Sequence, residues 1–182
     1  MDTKALGTAT VLDAAGEQVR LAEQWSEHPA VIVWLRHFGC VFCREQVAEI
    51  RASRGDIEAR GAGIAFIGNG TAQAAAWFQK RFAPDSTVLT DPDLVSYRAI
   101  GARSGLASTL GPAAWGAGIR AFRSGARQTM TKGHAYQQGG LVVMAPGNKV
   151  LYRHISRAAG DHAPVSDVLA ALEAARAIPV GA

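Results

Sequence analysis

Cysteine is scarce: the 182-residue chain has two, Cys40 and Cys43. A structural zinc site needs two further ligands, and without a second cysteine pair they would have to come from histidines such as His37, His134, His154 and His162, at irregular intervals. No metal site is expected. Covalent haem attachment requires a histidine directly after the second cysteine, where this chain has Arg44. The many cysteines of a disulfide scaffold are also missing. Gly68-Asn69-Gly70 lacks the third glycine of a dinucleotide fingerprint, so neither NAD nor FAD is expected, and no other cofactor is implied. No apolar run approaches the roughly 18 residues that span a bilayer, and Met1 to Gly7 holds no signal-peptide core. A cytoplasmic protein without a membrane span is the expectation. Acidic residues are missing altogether between Leu94 and Gly160, a stretch that carries nine lysines and arginines.

What is present points to one ordinary globular domain over residues 1–182, with 48% hydrophobic and 19% charged residues. The two cysteines form a C-x-x-C within Arg36-His37-Phe38-Gly39-Cys40-Val41-Phe42-Cys43-Arg44-Glu45. Val31 to Leu35 before them reads as a buried strand, and Val47, Ile50 and Ile57 after them recur at helical intervals. The motif therefore sits where a strand hands over to a helix N-terminus. Free N–H groups and the positive end of the macrodipole favour a thiolate there, with a pKa anywhere from roughly 3.5 to 7.5 against about 8.5 for a free cysteine. In a reducing compartment such a pair is more often a working dithiol than a permanent bridge, although a structural disulfide is the plain alternative.

Strand and helix signals alternate onward. Gly63 to Gly68 reads as a second buried strand, Thr71 as the cap of a helix through Phe82, and Thr87 to Thr90 as a short strand. Asp91-Pro92-Asp93 starts a helix with Leu94, Tyr97 and Ile100 on one face. Leu141 to Ala145 and Lys149 to His154 form a hairpin about Pro146-Gly147-Asn148, and Pro164 opens a last helix. The helix beginning near Cys40 is expected to run to Arg60-Gly61. The whole is an α/β sandwich with a central mixed sheet flanked by helices. Between about 102 and 135, Trp115, Ile119, Phe122 and Met130 recur near helical spacing beside Arg120, Arg123 and Arg127, which predicts a basic helical insert. It is suited to an anionic substrate, a dimer mate or an anionic surface. A net charge of +4 with no binding module in view argues against nucleic acid.

The order of elements and the placing of the C-x-x-C resemble a thioredoxin fold. The strings RHFGCVFCRE at 36–45, Gly68-Asn69-Gly70, TDPD at 90–93 with Tyr97, QQGG at 137–140 and Asp161-His162 resemble the peroxiredoxin-like branch of the AhpC/TSA superfamily. The resemblance implies a thiol-dependent peroxidase or reductase that uses the C-x-x-C pair. A thioredoxin-like protein disulfide oxidoreductase and a non-enzymatic redox sensor or adaptor are the alternatives. It implies a peroxide or disulfide substrate, a thioredoxin- or glutaredoxin-like reductant, and a possible homodimer.

The two templates assign the sulfurs differently. A thioredoxin would make Cys40 the attacker, whereas a peroxiredoxin Thr-x-x-Cys would place Cys43 at the attacking position. Greater exposure and more free N–H groups at the helix start favour Cys40 attacking and Cys43 resolving. The resemblance also sets Gly139 where peroxiredoxins carry a thiolate-holding arginine, and Arg36 is the candidate replacement for that charge. The candidate site is thus Cys40, Cys43 and Arg36 as catalytic groups, with His37, Phe38, Gly39 and Gly139 against the substrate. His154, Gln137 and Gln138 read as structural hydrogen-bonding residues.

Overall fold

A computed structural model describes residues 1–105, 134 and 136–177. Among the described residues, seven strands form one mixed sheet in the order β2-β1-β5-β4-β3-β6-β7. They are β1 (Thr10–Leu12), β2 (Gln18–Arg20), β3 (Ala30–Trp34), β4 (Gly63–Gly68), β5 (Thr87–Thr90), β6 (Gly140–Ala145) and β7 (Lys149–Ile155). The α-helices among the described residues are α1 (Thr3–Thr8), α2 (Val41–Ala52), α3 (Arg54–Glu58), α4 (Ala72–Phe82), α5 (Val95–Ile100) and α6 (Val165–Ala177). Strands β3, β4 and β5 run parallel, and β6 pairs antiparallel with β3. Val33 therefore stands between Phe66 and Leu141 at the centre of the sheet.

Period-two alternation divides the central strands between two cores. Val31, Val33, Phe66, Leu141 and Val143 face the layer that holds both cysteines, Val47, Ile50, Phe78 and Leu172. Ile32, Trp34, Ala65, Ile67, Val142 and Met144 face the opposite layer with Leu6, Trp25, Tyr97 and Ile100. Because helices cover both faces, β3 and β6 are buried at every residue, which is why both read as unbroken apolar runs.

Most expected boundaries agree with the structure: β4, α4 with its Thr71 cap, and β5 fall at the expected residues, and α6 starts directly after Pro164. Two differ. The helix after the cysteines ends at Ala52, and α3 follows across Ser53, whose φ of −97° and ψ of 11° leave the helical region. A short polar residue two positions before Gly55 is a weak site for helix continuation. The second difference is an unforeseen N-terminal hairpin, β1 to β2. Its strands are only three residues each, and its turn is held by Asp13 Oδ1, which accepts from the N–H groups of Ala15 and Glu17 at 2.8 and 2.9 Å. Of the insert expected at 102–135, residues 106–133 and 135 lie outside the described residues.

Candidate active site

The site grows from the C-terminal end of β3, where successive residues are each held by a neighbouring element. The Trp34 indole N–H donates to Ser96 Oγ at 3.0 Å, and that hydroxyl donates to the buried Asp91 carboxylate at 2.6 Å. The Leu35 N–H donates to Ile67 O at 2.7 Å, while Leu35 O accepts from Tyr97 Oη at 2.6 Å. Arg36 O accepts from the Asn69 side-chain amide at 2.7 Å. Beyond Arg36 the chain turns sharply, with Cys40 N–H donating to His37 O at 3.1 Å and Gly39 N–H to His37 Nδ1 at 3.2 Å.

Phe38 anchors the loop from below. Its ring edge lies so close to Gly68 that a Cβ at position 68 would collide with it, and it packs on Phe78 with centroids 5.3 Å apart. Phe38 is wholly buried, so its side chain supports the loop rather than a substrate. Gly39 is also buried, and its carbonyl accepts from Arg44 Nη2 at 3.2 Å. The Arg44 guanidinium stacks 5.0 Å over the Phe82 ring.

This loop makes Cys40 the N-cap of α2, with extended φ and ψ of −74° and 124°, and sets Cys43 one turn in. Both are free thiols, and both are buried, at 1% and 3% exposure. The expectation that Cys40 is the more exposed sulfur therefore fails, since the fold buries both against the same core. Electrostatics separates the two instead. A hydrogen bond from the Cys43 thiol does most to hold Cys40 down at a pKa of about 7; the Arg36 guanidinium and the N–H groups of Cys43 and Phe42 assist, against the opposing cost of burial. The Cys43 thiol is pushed well up, first by burial and then by its bond to Cys40 and the neighbouring thiolate charge. The two sulfurs are joined through Arg36, whose N–H donates to Cys43 Sγ at 3.3 Å and whose Nη1 lies 3.9 Å from Cys40 Sγ.

His37 is lowered to about 4, mainly by burial and further by the charges of Arg36 and Arg44. It is neutral at pH 7. Since Nδ1 accepts from Gly39, its proton sits on Nε2. Gly139 offers no side chain and has no room for one: a Cβ there would collide with the Trp34 carbonyl oxygen. Its own carbonyl accepts from Ser156 N–H at 3.2 Å. The structure thus gathers Cys40, Cys43, Arg36, His37 and Gly39 in one loop, places Phe38 beneath it, and sets Gly139 against the backbone of β3. Gln137 and Gln138 are buried and bonded to Arg103 O, a structural role.

Asn69 and Tyr97 were not singled out as site residues by the sequence. The signals were present: an asparagine in a tight glycine turn after a buried strand, and a tyrosine on an apolar helix face, whose hydroxyl needs a partner once buried. A cavity of about 490 Å³ opens beside Asn69, lined also by Gly70, Thr71, Gln73, Ala74, Pro92 and His134. Among the described residues no group of three or more His, Cys, Asp or Glu is placed to hold a metal, and no helix is long and apolar enough to cross a membrane.

A sheet with a parallel centre, covered by helices on both faces and carrying a C-x-x-C at the helix start after its central strand, defines a thioredoxin-fold dithiol protein. The chain belongs to the AhpC/TSA antioxidant enzyme family, whose model matches residues 49–158, from within α2 onward. The chain is 32% identical to the Arabidopsis thaliana thioredoxin-like protein AAED1, chloroplastic, over 92% of this chain and 71% of that one. It is 30% identical to the Salmo salar prostamide/prostaglandin F synthase over 100% of this chain and 92% of that one. In fold it is similar to the peroxidoxin BcpB of Mycobacterium tuberculosis, with a TM-score of 0.65 at 19% identity, covering 94% of this chain and 93% of the other. It is a peroxiredoxin-like thioredoxin-fold protein, and its family supports thiol peroxidase or reductase chemistry.

Proposed function

We propose that the chain is a thiol-dependent peroxidase in which Cys40 attacks and Cys43 resolves. The observation that carries this is the asymmetry of the pair: Cys40 is held near pH 7 as an ionisable nucleophile while Cys43 remains a protonated thiol bonded to it. The Cys40 thiolate attacks the terminal oxygen of a hydroperoxide, ROOH. The O–O bond breaks, Cys40 becomes a sulfenic acid, and the departing RO⁻ takes up a proton to leave as ROH. Cys43 sulfur then attacks Cys40 sulfur, the S–O bond breaks, and water leaves with the Cys43 proton as the disulfide forms. Residues three apart in a helical first turn meet the spacing a disulfide requires. An external dithiol of the thioredoxin or glutaredoxin kind reduces the bridge by exchange and is itself oxidised. Neutral His37 supplies no imidazolium to this cycle at pH 7. Arg36 takes the charge-holding role, in the cytoplasmic setting expected from the sequence.

A second reading is reduction of protein disulfides by the same pair. The lack of space for any side chain at Gly139 favours it, since this is where the peroxiredoxin resemblance calls for an arginine.

The deciding experiment measures peroxide consumption by the reduced protein with a regenerating dithiol, for wild type, Cys40→Ser and Cys43→Ser. The peroxidase reading predicts sustained turnover in wild type, none in Cys40→Ser, and accumulated sulfenic acid in Cys43→Ser. Turnover that survives Cys40→Ser refutes the assignment of the attacking sulfur. Absence of turnover in wild type, with reduction of a protein disulfide, moves the function to the second reading. A single oxidation without turnover of either substrate moves it to a sensor.

A further inference from the structure

The Arg36 N–H that donates to Cys43 Sγ at 3.3 Å belongs to the Leu35–Arg36 peptide. The carbonyl of that same peptide is Leu35 O, which accepts from the Tyr97 hydroxyl at 2.6 Å. A trans peptide is planar and its C=O and N–H point in opposite directions, so a partner that fixes one of them fixes the other. Leu35 lies just past the end of β3, and Tyr97 reaches it from α5. Tyr97 belongs to the core on one face of the sheet and both cysteines to the core on the other, so this peptide carries a hydrogen bond through the sheet layer. The hydroxyl has one proton to give. Ile67 O, 3.0 Å away, already accepts from Leu35 N–H at 2.7 Å, and the shorter contact directs that proton to Leu35 O. Beyond Cys43 the line continues, because the Cys43 thiol bonds to Cys40. It runs from phenol to peptide to thiol to thiolate.

We propose that Tyr97 is a positioning residue of the dithiol site, holding the Leu35–Arg36 peptide so that its N–H meets Cys43 and leaves the Cys43 thiol aimed at Cys40. The proposal deepens the reading of Cys40 as the attacking thiolate and rests on it. An N–H whose own carbonyl is hydrogen-bonded is a stronger donor, and a thiol that accepts such a bond donates more strongly in turn, by roughly 10–30% at each step. Tyr97 is wholly buried. Burial, with Asp91 and Cys43 nearby, pushes its hydroxyl well above the usual tyrosine range, so it keeps its proton wherever Cys40 titrates. Without that hydroxyl, Leu35 O loses its donor from α5 and the peptide plane is released. The Arg36 N–H becomes a weaker and less well aimed partner for Cys43, and Cys43 supports the Cys40 thiolate less. Among the described residues, the titratable and charged groups along this line are the two cysteines, Arg36 beside them and Asp91 on the Tyr97 side, with His37 and Arg44 in the same loop and first turn.

The test is site-resolved alkylation of the reduced full chain by iodoacetamide from pH 5 to 9, with each cysteine quantified by mass spectrometry, for wild type, Tyr97→Phe and Tyr97→3-fluorotyrosine. Tyr97→Phe removes the donor to Leu35 O and should raise the Cys40 midpoint by about half a pH unit, with about twofold less thiolate at pH 7. Fluorine beside the hydroxyl makes it a stronger donor at nearly unchanged shape, so the second variant should lower the midpoint, by about a quarter of a unit. A tyrosine that only fills space gives no such reversal of sign. Trp25→Phe removes a bond to Asn148 from the same core as Tyr97 and supplies the effect of destabilisation alone, which should leave the midpoint in place. Where Tyr97→Phe does not fold, a lowered midpoint in the 3-fluorotyrosine variant carries the result. An unchanged or raised midpoint in that variant, with Cys40 of wild type titrating near 7, overturns the role of Tyr97 and leaves the attacking role of Cys40 intact. Low-pH alkylation of Cys43 rather than Cys40 in wild type overturns both.

Discussion

Replacing Cys43 by alanine deletes the group that does most to keep Cys40 ionised, and the size of the effect follows from the site. With Cys40 at about 7, roughly half of it is thiolate at pH 7. Loss of the Cys43 hydrogen bond leaves the Arg36 guanidinium and the helix N–H groups working against complete burial, and the pKa should return at least to the ordinary value near 8.5. The thiolate fraction at pH 7 then falls to about 3%, some fifteenfold. Intrinsic nucleophilicity moves the other way, because a thiolate of higher pKa attacks faster, by about four- to fivefold over 1.5 units at a Brønsted slope near 0.4 to 0.5. The net rate at pH 7 should drop only about three- to fourfold, so a single-pH assay would understate the change. The informative measurement is the rate of reaction with 2,2′-dithiodipyridine, followed by absorbance from pH 5 to 10. For Cys43→Ala the midpoint should move from about 7 to at least ~8.5, with a plateau about four- to fivefold higher. Cys43→Ser keeps a hydroxyl donor and should titrate in between. A midpoint near 7 in Cys43→Ala would refute the reasoning, because helix and guanidinium alone would then account for the acidity of Cys40.

Three further outcomes follow from the packing and charge around the site. His37 and His162 are both lowered to about 4, chiefly by burial, while the unfolded chain ionises near 6.5. The unfolded state therefore binds more protons between these values, so stability is full above about 6.5 and is lost as the pH falls toward 4. The loss is about 2 kcal/mol per histidine by pH 5. Urea melts at pH 7 and pH 5 should show it, with the difference reduced in His162→Gln. Gly68→Ala should cost about 1–3 kcal/mol by driving a methyl into the Phe38 ring, and Gly139→Ala at least as much against the Trp34 carbonyl; urea melts check both. Tyr97→Phe removes the hydroxyl shared between Leu35 O and Ile67 O at 2.6 and 3.0 Å, and should lower stability in the same assay by about 1–3 kcal/mol.

The elements that were legible before the structure are those whose signals are local. The apolar runs of β3 and β4, the Thr71 cap and the Pro164 start declare themselves within a few residues, and their observed bounds agree closely. The β1–β2 hairpin escaped because three-residue strands carry too little alternation to register against their surroundings. The break at Ser53 escaped because apolar spacing continues from Ile50 to Ile57, on either side of it, and both are fully inside the same core. Within the site, the C-x-x-C and Arg36 could be named from spacing and adjacency. For Asn69 and Tyr97 the local signals left the partners open, since each acts on a residue at least 30 positions away through a contact that exists only after folding.

The sequence by itself determined that two cysteines share the first turn of a helix following a buried strand, because spacing and helix geometry fix that arrangement without help from the rest of the chain. It also determined the thioredoxin-like order of strands and helices, which follows from hydrophobic period and turn residues. Which sulfur carries the charge was decided only by the tertiary structure. Exposure at the helix start does not distinguish the cysteines, since the fold seals both; the difference comes from a thiol, a guanidinium and a peptide N–H whose directions depend on where β3 ends against β4 and α5. The reason is physical. A pKa records the field at one atom, and that field is assembled from groups brought together by folding, whereas a helix or strand is set largely by residues adjacent in the chain.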